Sequence, residues 1–147
     1  MKFISVLVLG FVGSILLMLY AGKPVRLQSY LLPSTLKYGW VTIEYDNPNC
    51  SKIKGGPLGD EFVIPQSGYL CTSSPMETGL TYQRYYLVND KGERTSLDID
   101  QQIHVRASVF VSRGSCNITA ETFWYGPKDK ITNDKTDFIE KFHSECR

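Results

Sequence analysis

The stretch Ile103–Val111, IHVRASVFV, carries the most regular signal in the chain. Ile103, Val105, Ala107, Val109 and Val111 recur at every second position, with His104, Arg106, Ser108 and Phe110 between them. A period of two belongs to a β-strand with one buried face. The pattern therefore predicts a strand whose five odd-numbered side chains point into a core. Downstream, Arg113-Gly114-Ser115 reads as a turn into a second strand, Asn117–Tyr125, in which Phe123 and Tyr125 share a face. Upstream, Trp40–Tyr45 (WVTIEY) is rich in β-branched and aromatic residues and reads as a strand. Val41, Ile43 and Tyr45 fall on one of its faces, Trp40, Thr42 and Glu44 on the other. Further strands are expected at Glu61–Ile64, Tyr69–Ser73, Thr81–Val88 and Glu93–Leu97, the last two joined by a turn at Asn89–Gly92. Ser51–Asp60 holds Gly55, Gly56, Pro57 and Gly59 and reads as a loop.

The period changes near the C-terminus. Phe138, Ile139, Phe142 and Cys146 lie on one helical stripe, with Asn133 as a plausible N-cap. About seven short strands followed by one helix suggest a mainly β domain. The expected architecture is an antiparallel β-sandwich or barrel-like domain with one C-terminal α-helix, preceded by an N-terminal hydrophobic helix. Parallel α/β folds need helices between strands, and none is visible.

That N-terminal segment, Phe3–Ala21 (FISVLVLGFVGSILLMLYA), is uncharged. A helix of this length spans about 28 Å, close to the ~30 Å hydrocarbon thickness of a bilayer. Two fates are open to it. A cleaved signal peptide would use Lys2 and a poor small-residue site at Ala21. An uncleaved anchor better suits the long apolar run and the bulky Leu16, Leu17, Met18 and Tyr20. No cysteine stands near Ala21 to carry a lipid. The expected organisation is residues 1–22 as signal peptide or signal-anchor, 23–30 as a linker, and 31–147 as an exported domain. The membrane is thus one expected partner, reached through residues 3–21.

The four cysteines, Cys50, Cys71, Cys116 and Cys146, all lie beyond the apolar segment. An even set behind an export signal implies two disulfides in an oxidising compartment. Three connectivities are open; the most local is Cys50–Cys71 with Cys116–Cys146. An oxidised domain faces away from the cytoplasm, which gives an N-in, C-out single-pass topology, or a periplasmic or secreted domain after cleavage.

The 147 residues carry 16 Lys+Arg against 15 Asp+Glu, a net charge of +1. Past Ala21 the chain is formally neutral, because Lys2 is the one charge left behind. That balance excludes the basic footprint of a nucleic-acid binder. No cofactor or metal site is expected: the cysteines and histidines lack zinc spacing, and the Gly55–Asp60 run lacks the Lys and Ser/Thr of a phosphate loop. Asp98 and Asp100 lack the rest of a calcium loop. His104 and His143 are read as surface residues, and no G-x-S-x-G elbow is present. Asn49-Cys50-Ser51 and Asn117-Ile118-Thr119 match the glycosylation sequon, relevant only in a eukaryotic secretory host. Aromatic residues offer the strongest candidate binding surface: Trp40, Tyr82, Tyr86, Phe123 and Tyr125, competing with a role as core and cross-strand pairs.

Three stretches carry a resemblance: Gly39–Cys50 (GWVTIEYDNPNC) with Leu31-Leu32-Pro33 ahead of it, Ile64–Pro75 (IPQSGYLCTSSP), and Tyr85–Gly92 (YYLVNDKG). They resemble a family of small bacterial exported domains of unknown function. The likeness covers residues 31–95, with a weaker echo at 123–126. It implies an exported β domain, adds no site, and agrees with a Cys50–Cys71 pair.

Three functional expectations follow. The first is a non-catalytic binding or structural protein of the cell envelope, with an envelope protein or glycan as partner. The second is an inhibitor or immunity-type protein acting on an extracytoplasmic hydrolase through the Gly-rich loop or the Asn89–Gly92 tip; a rigid stapled domain loses little entropy on docking. The third is an envelope hydrolase using His104 with a nearby acid.

Overall fold

The computed structural model describes residues 25–56, 59–113 and 116–132. The apolar segment 3–21, His143 and the expected C-terminal helix with Cys146 lie outside these residues, and the Cys116–Cys146 pairing with them. Strands β1 (Arg26–Pro33), β2 (Gly39–Tyr45), β3 (Lys54–Gly56), β4 (Gly59–Val63), β5 (Tyr69–Cys71), β6 (Thr81–Val88) and β7 (Arg94–Ser96) come first. A one-turn helix α1 (Ile99–Gln102) then leads into β8 (Ile103–Arg113) and β9 (Cys116–Tyr125). Two sheets form, in the orders β3-β4-β1-β6-β7 and β5-β2-β9-β8. The protein is mainly β, and its sheets pack face to face around one core.

Both sheets are mixed rather than antiparallel. β1 pairs parallel with β4 and β6, and β2 pairs parallel with β5. The expectation failed because it required helices for parallel crossovers. Here each crossover runs through the opposite sheet, which supplies the returning segment that a helix supplies elsewhere. The linker expected at residues 23–30 is also revised: Arg26–Pro33 is the central strand of the five-stranded sheet. Five consecutive residues there, Gln28 to Leu32, are buried. Low exposure on both sides of the strand removes the alternation, and buried polar Gln28 and Ser29 disguised it further.

Across β4, β1 and β6, the rings of Phe62, Tyr30 and Tyr85 stand in register. Tyr30 stacks on Phe62 at 4.9 Å and on Tyr85 at 4.7 Å between centroids. Phe123 from the facing sheet meets Tyr30 edge-on at 5.6 Å. Offset and edge-to-face pairs of this kind add about 0.5–1.5 kcal/mol each beyond their buried area.

The strand predicted at Ile103–Val111 exists, but its faces do not run as the alternation implied. The register of β8 against β9 shifts between His104 and Ala107. Val105 there has φ 47°, left-handed backbone for a β-branched residue. Two residues, Val105 and Arg106, thus oppose the single Phe123, which is a β-bulge. A one-residue insertion exchanges the faces of all that follows. Ile103 remains in the main core, whereas Val109 and Val111 pack with Ile118 and Ala120 on the sheet's other side. Arg106 turns inward instead of out.

Its partner is Glu121, buried between the sheets. Glu121 accepts from Tyr30 Oη at 3.0 Å, Tyr45 Oη at 3.2 Å, Gln83 Nε2 at 3.4 Å and Arg106 Nη2 at 3.1 Å. Tyr30 and Gln83 belong to one sheet; Tyr45, Glu121 and Arg106 belong to the other. Among the described residues, every buried side-chain nitrogen and oxygen has a partner.

Cys50 and Cys71 form a disulfide with Cα atoms 5.7 Å apart. It ties edge strand β5 to the turn after β2, where Thr72 Oγ1 also donates to the Ser51 carbonyl at 2.9 Å.

Two expectations follow for stability. The double variant Cys50→Ser, Cys71→Ser should lose about 3 kcal/mol, the loop-closure value for a span of this size. Urea unfolding under non-reducing conditions measures it. Val105→Gly should instead gain up to about 1 kcal/mol, since left-handed backbone costs an L-residue ~1–2 kcal/mol and glycine's extra chain entropy offsets part of that. A destabilised Val105→Gly would show that the bulge is held by the valine side chain.

Candidate functional site

The five aromatics proposed as a surface part company. Phe123 (0% exposed) and Tyr125 (4%) do share a face, but it is the core face, so they are no binding surface. Trp40 is half-buried on the outer side of the four-stranded sheet, edge-on to Trp124 at 5.6 Å, its indole N–H donating to the Thr132 carbonyl. Tyr82 and Tyr86 share the outer face of β6, as their spacing required, and Tyr82 is 58% exposed.

Around Tyr86 the outer face of the five-stranded sheet is hollowed into an open groove of about 360 Å³. Its floor is small: Ser29 on β1 and Gly59 on β4. Gly59 has φ 136°, and a Cβ there would stand 1.9 Å from the Leu27 carbonyl oxygen. Only glycine lets β4 begin so close to β1. The Gly-rich stretch read as a loop thus forms the β3–β4 hairpin at the sheet edge, antiparallel through Lys54 and Glu61.

The rim is charged. Arg84 rises from β6, Arg94 from β7 and Lys54 from β3, with Asp60 and Glu61 from β4. Arg84 lies over the Tyr82 ring at 5.4 Å and is held further above its ordinary pKa by a hydrogen bond with Tyr86. Arg94 Nη1 donates to Glu61 Oε1 at 2.8 Å, which raises the Arg94 pKa likewise. β1 and β6 intervene between β4 and β7. The two backbones are therefore three strand spacings apart, roughly 14 Å. Their long side chains meet above the floor, so the ion pair straps the groove. Both partners are 44% exposed, and an exposed pair is worth about 0.2–1 kcal/mol.

Other residues singled out from sequence do simpler work. His104 Nε2 lies 3.0 Å from the Gln101 carbonyl. Asp98 caps α1 by accepting from the Asp100 amide at 3.0 Å. In the Asn89–Gly92 turn, Asn89 Oδ1 accepts from the amides of Lys91 and Glu93. Among the described residues no group of three or more His, Cys, Asp or Glu could hold a metal ion.

These features define a two-layer mixed β-sandwich with a charged, aromatic groove on one outer face. Residues 26–135 match the DUF6843 family, a family of unknown function, and the chain belongs to it. The fold is similar to the 2.75 Å crystal structure of a "Putative Lipoprotein from Bacillus anthracis", with a TM-score of 0.65 and 18% identity over 80% of this chain and 90% of that one. No curated protein matches the sequence.

Buried tyrosines set the response to alkali. Burial, and then the Glu121 carboxylate, push Tyr30 and Tyr45 far above the usual phenol range. Burial pushes Tyr85 up too, partly countered by Arg106. The fold thus favours the neutral phenols. Their contribution is complete below the free tyrosine pKa of ~10 and is lost as pH rises beyond it, because the unfolded chain ionises first. Urea midpoints should be level from pH 7 to 9 and fall steeply above 10, with the phenolate absorbance of these three residues at 295 nm appearing only in step with unfolding. Phenolate signal from these three residues in the folded protein would contradict this.

Proposed function

We propose that this chain is a membrane-held, extracytoplasmic domain of the bacterial envelope that acts by binding rather than catalysis. Its ligand is an acidic envelope glycan or polymer, received in the groove of the five-stranded sheet. The observation that carries the reading is the Arg94–Glu61 strap over a glycine-and-serine floor. An acidic group on a ligand can take the place of Glu61 on Arg94 at little cost, because one exposed ion pair is exchanged for another. Arg84 and Lys54 add positive charge beside it, and the Tyr86 ring offers a face on which a sugar ring stacks.

The location rests on other grounds. Residues 3–21 are apolar, uncharged and of spanning length, and the disulfide suits an oxidising compartment. Among the described residues no helix is long and apolar enough to cross a membrane; the segment 3–21 lies outside them. The fold's likeness to a protein named as a putative lipoprotein agrees with an envelope address. This chain has no cysteine near residue 21 for lipid attachment, so the apolar segment takes the anchoring role.

Co-sedimentation of the purified full chain with an isolated cell-wall fraction tests the binding site. Arg94→Ala should weaken retention about tenfold, and Glu61→Gln, which frees Arg94, should strengthen it several-fold. Blocking the fraction's acidic groups should abolish retention by both. Equal retention of wild type, Arg94→Ala and Glu61→Gln would remove the groove as the site.

A further inference from the structure

Of the eight large apolar side chains left in solvent among the described residues, four lie toward one end of the sandwich. Leu80 is 84% exposed, Phe110 70%, Val25 59% and Tyr82 58%. Their places can be compared by strand level. β1, β4 and β6 are parallel, so Arg26, Gly59 and Thr81 mark the same end of the five-stranded sheet. Arg26 stands opposite Thr81 in register, so Val25 and Leu80 each lie one residue further toward that end, and Tyr82 stands opposite Leu27. The facing sheet is aligned through Glu121, which bonds Gln83 on β6 and stands opposite Ser108 on β8. From that level, three residues back along β6 reach Leu80 and two residues onward along β8 reach Phe110. Both steps lead toward the same end of the sandwich, where β8 runs three residues further to Arg113, so each sheet contributes exposed apolar side chains toward that end.

This is also where the apolar segment joins. Five residue steps separate Ala21 from Arg26, at most about 17 Å of extended chain. Arg26, the nearest described cation, is already met by Glu77 and Asp60.

We infer that this end of the sandwich rests on the bilayer surface, with Leu80, Phe110 and Val25 inserted at the headgroup level and Tyr82 at the interface. The inference rests on the membrane-held reading above. A short tether holds the rim within reach of the lipid, and tyrosine suits the water–hydrocarbon boundary. Arg26 is already paired, so the contact rests on the apolar side chains of Leu80, Phe110 and Val25.

Photocrosslinking tests it on the full chain, reconstituted in vesicles of phosphatidylethanolamine and phosphatidylglycerol. Variants would carry p-benzoylphenylalanine in place of Leu80, Phe110 or Val63. Val63 is 62% exposed but lies at the far end of β4. Lipid adducts, read by mass spectrometry, should form at positions 80 and 110 at least tenfold more than at 63. Leu80→Asp should lower the adduct yield at position 110, whereas Val63→Asp should leave it unchanged. Yields at 80 and 110 no greater than at 63, in chains that float with vesicles after carbonate extraction, overturn the docking alone. Chains that do not float overturn both the anchor and the docking.

Discussion

Glu121 is a carboxylate withdrawn from water into the space between two sheets, and much of the sandwich can be read as the means of keeping it there. An ionised group in that position is tolerable only when its oxygens are fully hydrogen-bonded and its charge is answered. The phenols of Tyr30 and Tyr45, the amide of Gln83 and the guanidinium of Arg106 do this from both sheets. Each demand fixes something else. Tyr30 must sit on the central strand, where its ring is clamped between Phe62 and Tyr85. Arg106 must face inward, which an unbroken β8 would forbid. The left-handed kink at Val105 is the local cost of that orientation. Registry between the sheets follows, since a slip by one residue would strand the carboxylate.

The same network explains what could be read from the residue order and what could not. Trp40–Tyr45 and Thr81–Val88 were legible because each has one covered face or a dense set of β-formers, and their side-chain parity held: Val41, Ile43 and Tyr45 are in the core, and Tyr82 shares the outer face with Tyr86. Cys50–Cys71 was legible because it belongs to the most local of the three connectivities that four cysteines allow. Ile103–Val111 was legible as a strand but not as a face, because a bulge leaves no mark on hydrophobic period when valines stand on either side of it. β1 was hidden for the opposite reason. Its buried positions include Gln28 and Ser29, polar residues whose partners lie far along the chain, so composition imitates a linker.

The groove was illegible as a unit. Its lining comes from β1 and the pairs β3–β4 and β6–β7, which are brought together by crossovers through the other sheet. Single residues gave partial hints: Tyr82 and Tyr86 were identified as a candidate surface, whereas Gly55, Gly56 and Gly59 read as a loop. The decisive pair, Arg94 and Glu61, is separated by 33 positions and has no motif. An ion pair formed across two intervening strands belongs to the topology alone.

Core and groove divide the labour in a way that bears on recognition. The floor of the groove is the back of the strands that carry Tyr30, Phe62 and Tyr85, so it cannot flex without disturbing the aromatic stack. A surface backed by such packing loses little conformational entropy when it is occupied. Only the rim side chains, Arg84, Arg94, Lys54 and Glu61, have freedom to rearrange. In the binding role proposed above, selectivity falls to charges that can exchange partners, and position to a sheet that cannot move. With the sheet's N-terminal edges set toward a bilayer, as inferred above, the groove would open sideways, parallel to the membrane plane. A long acidic polymer lying along the envelope could then enter without threading past its end.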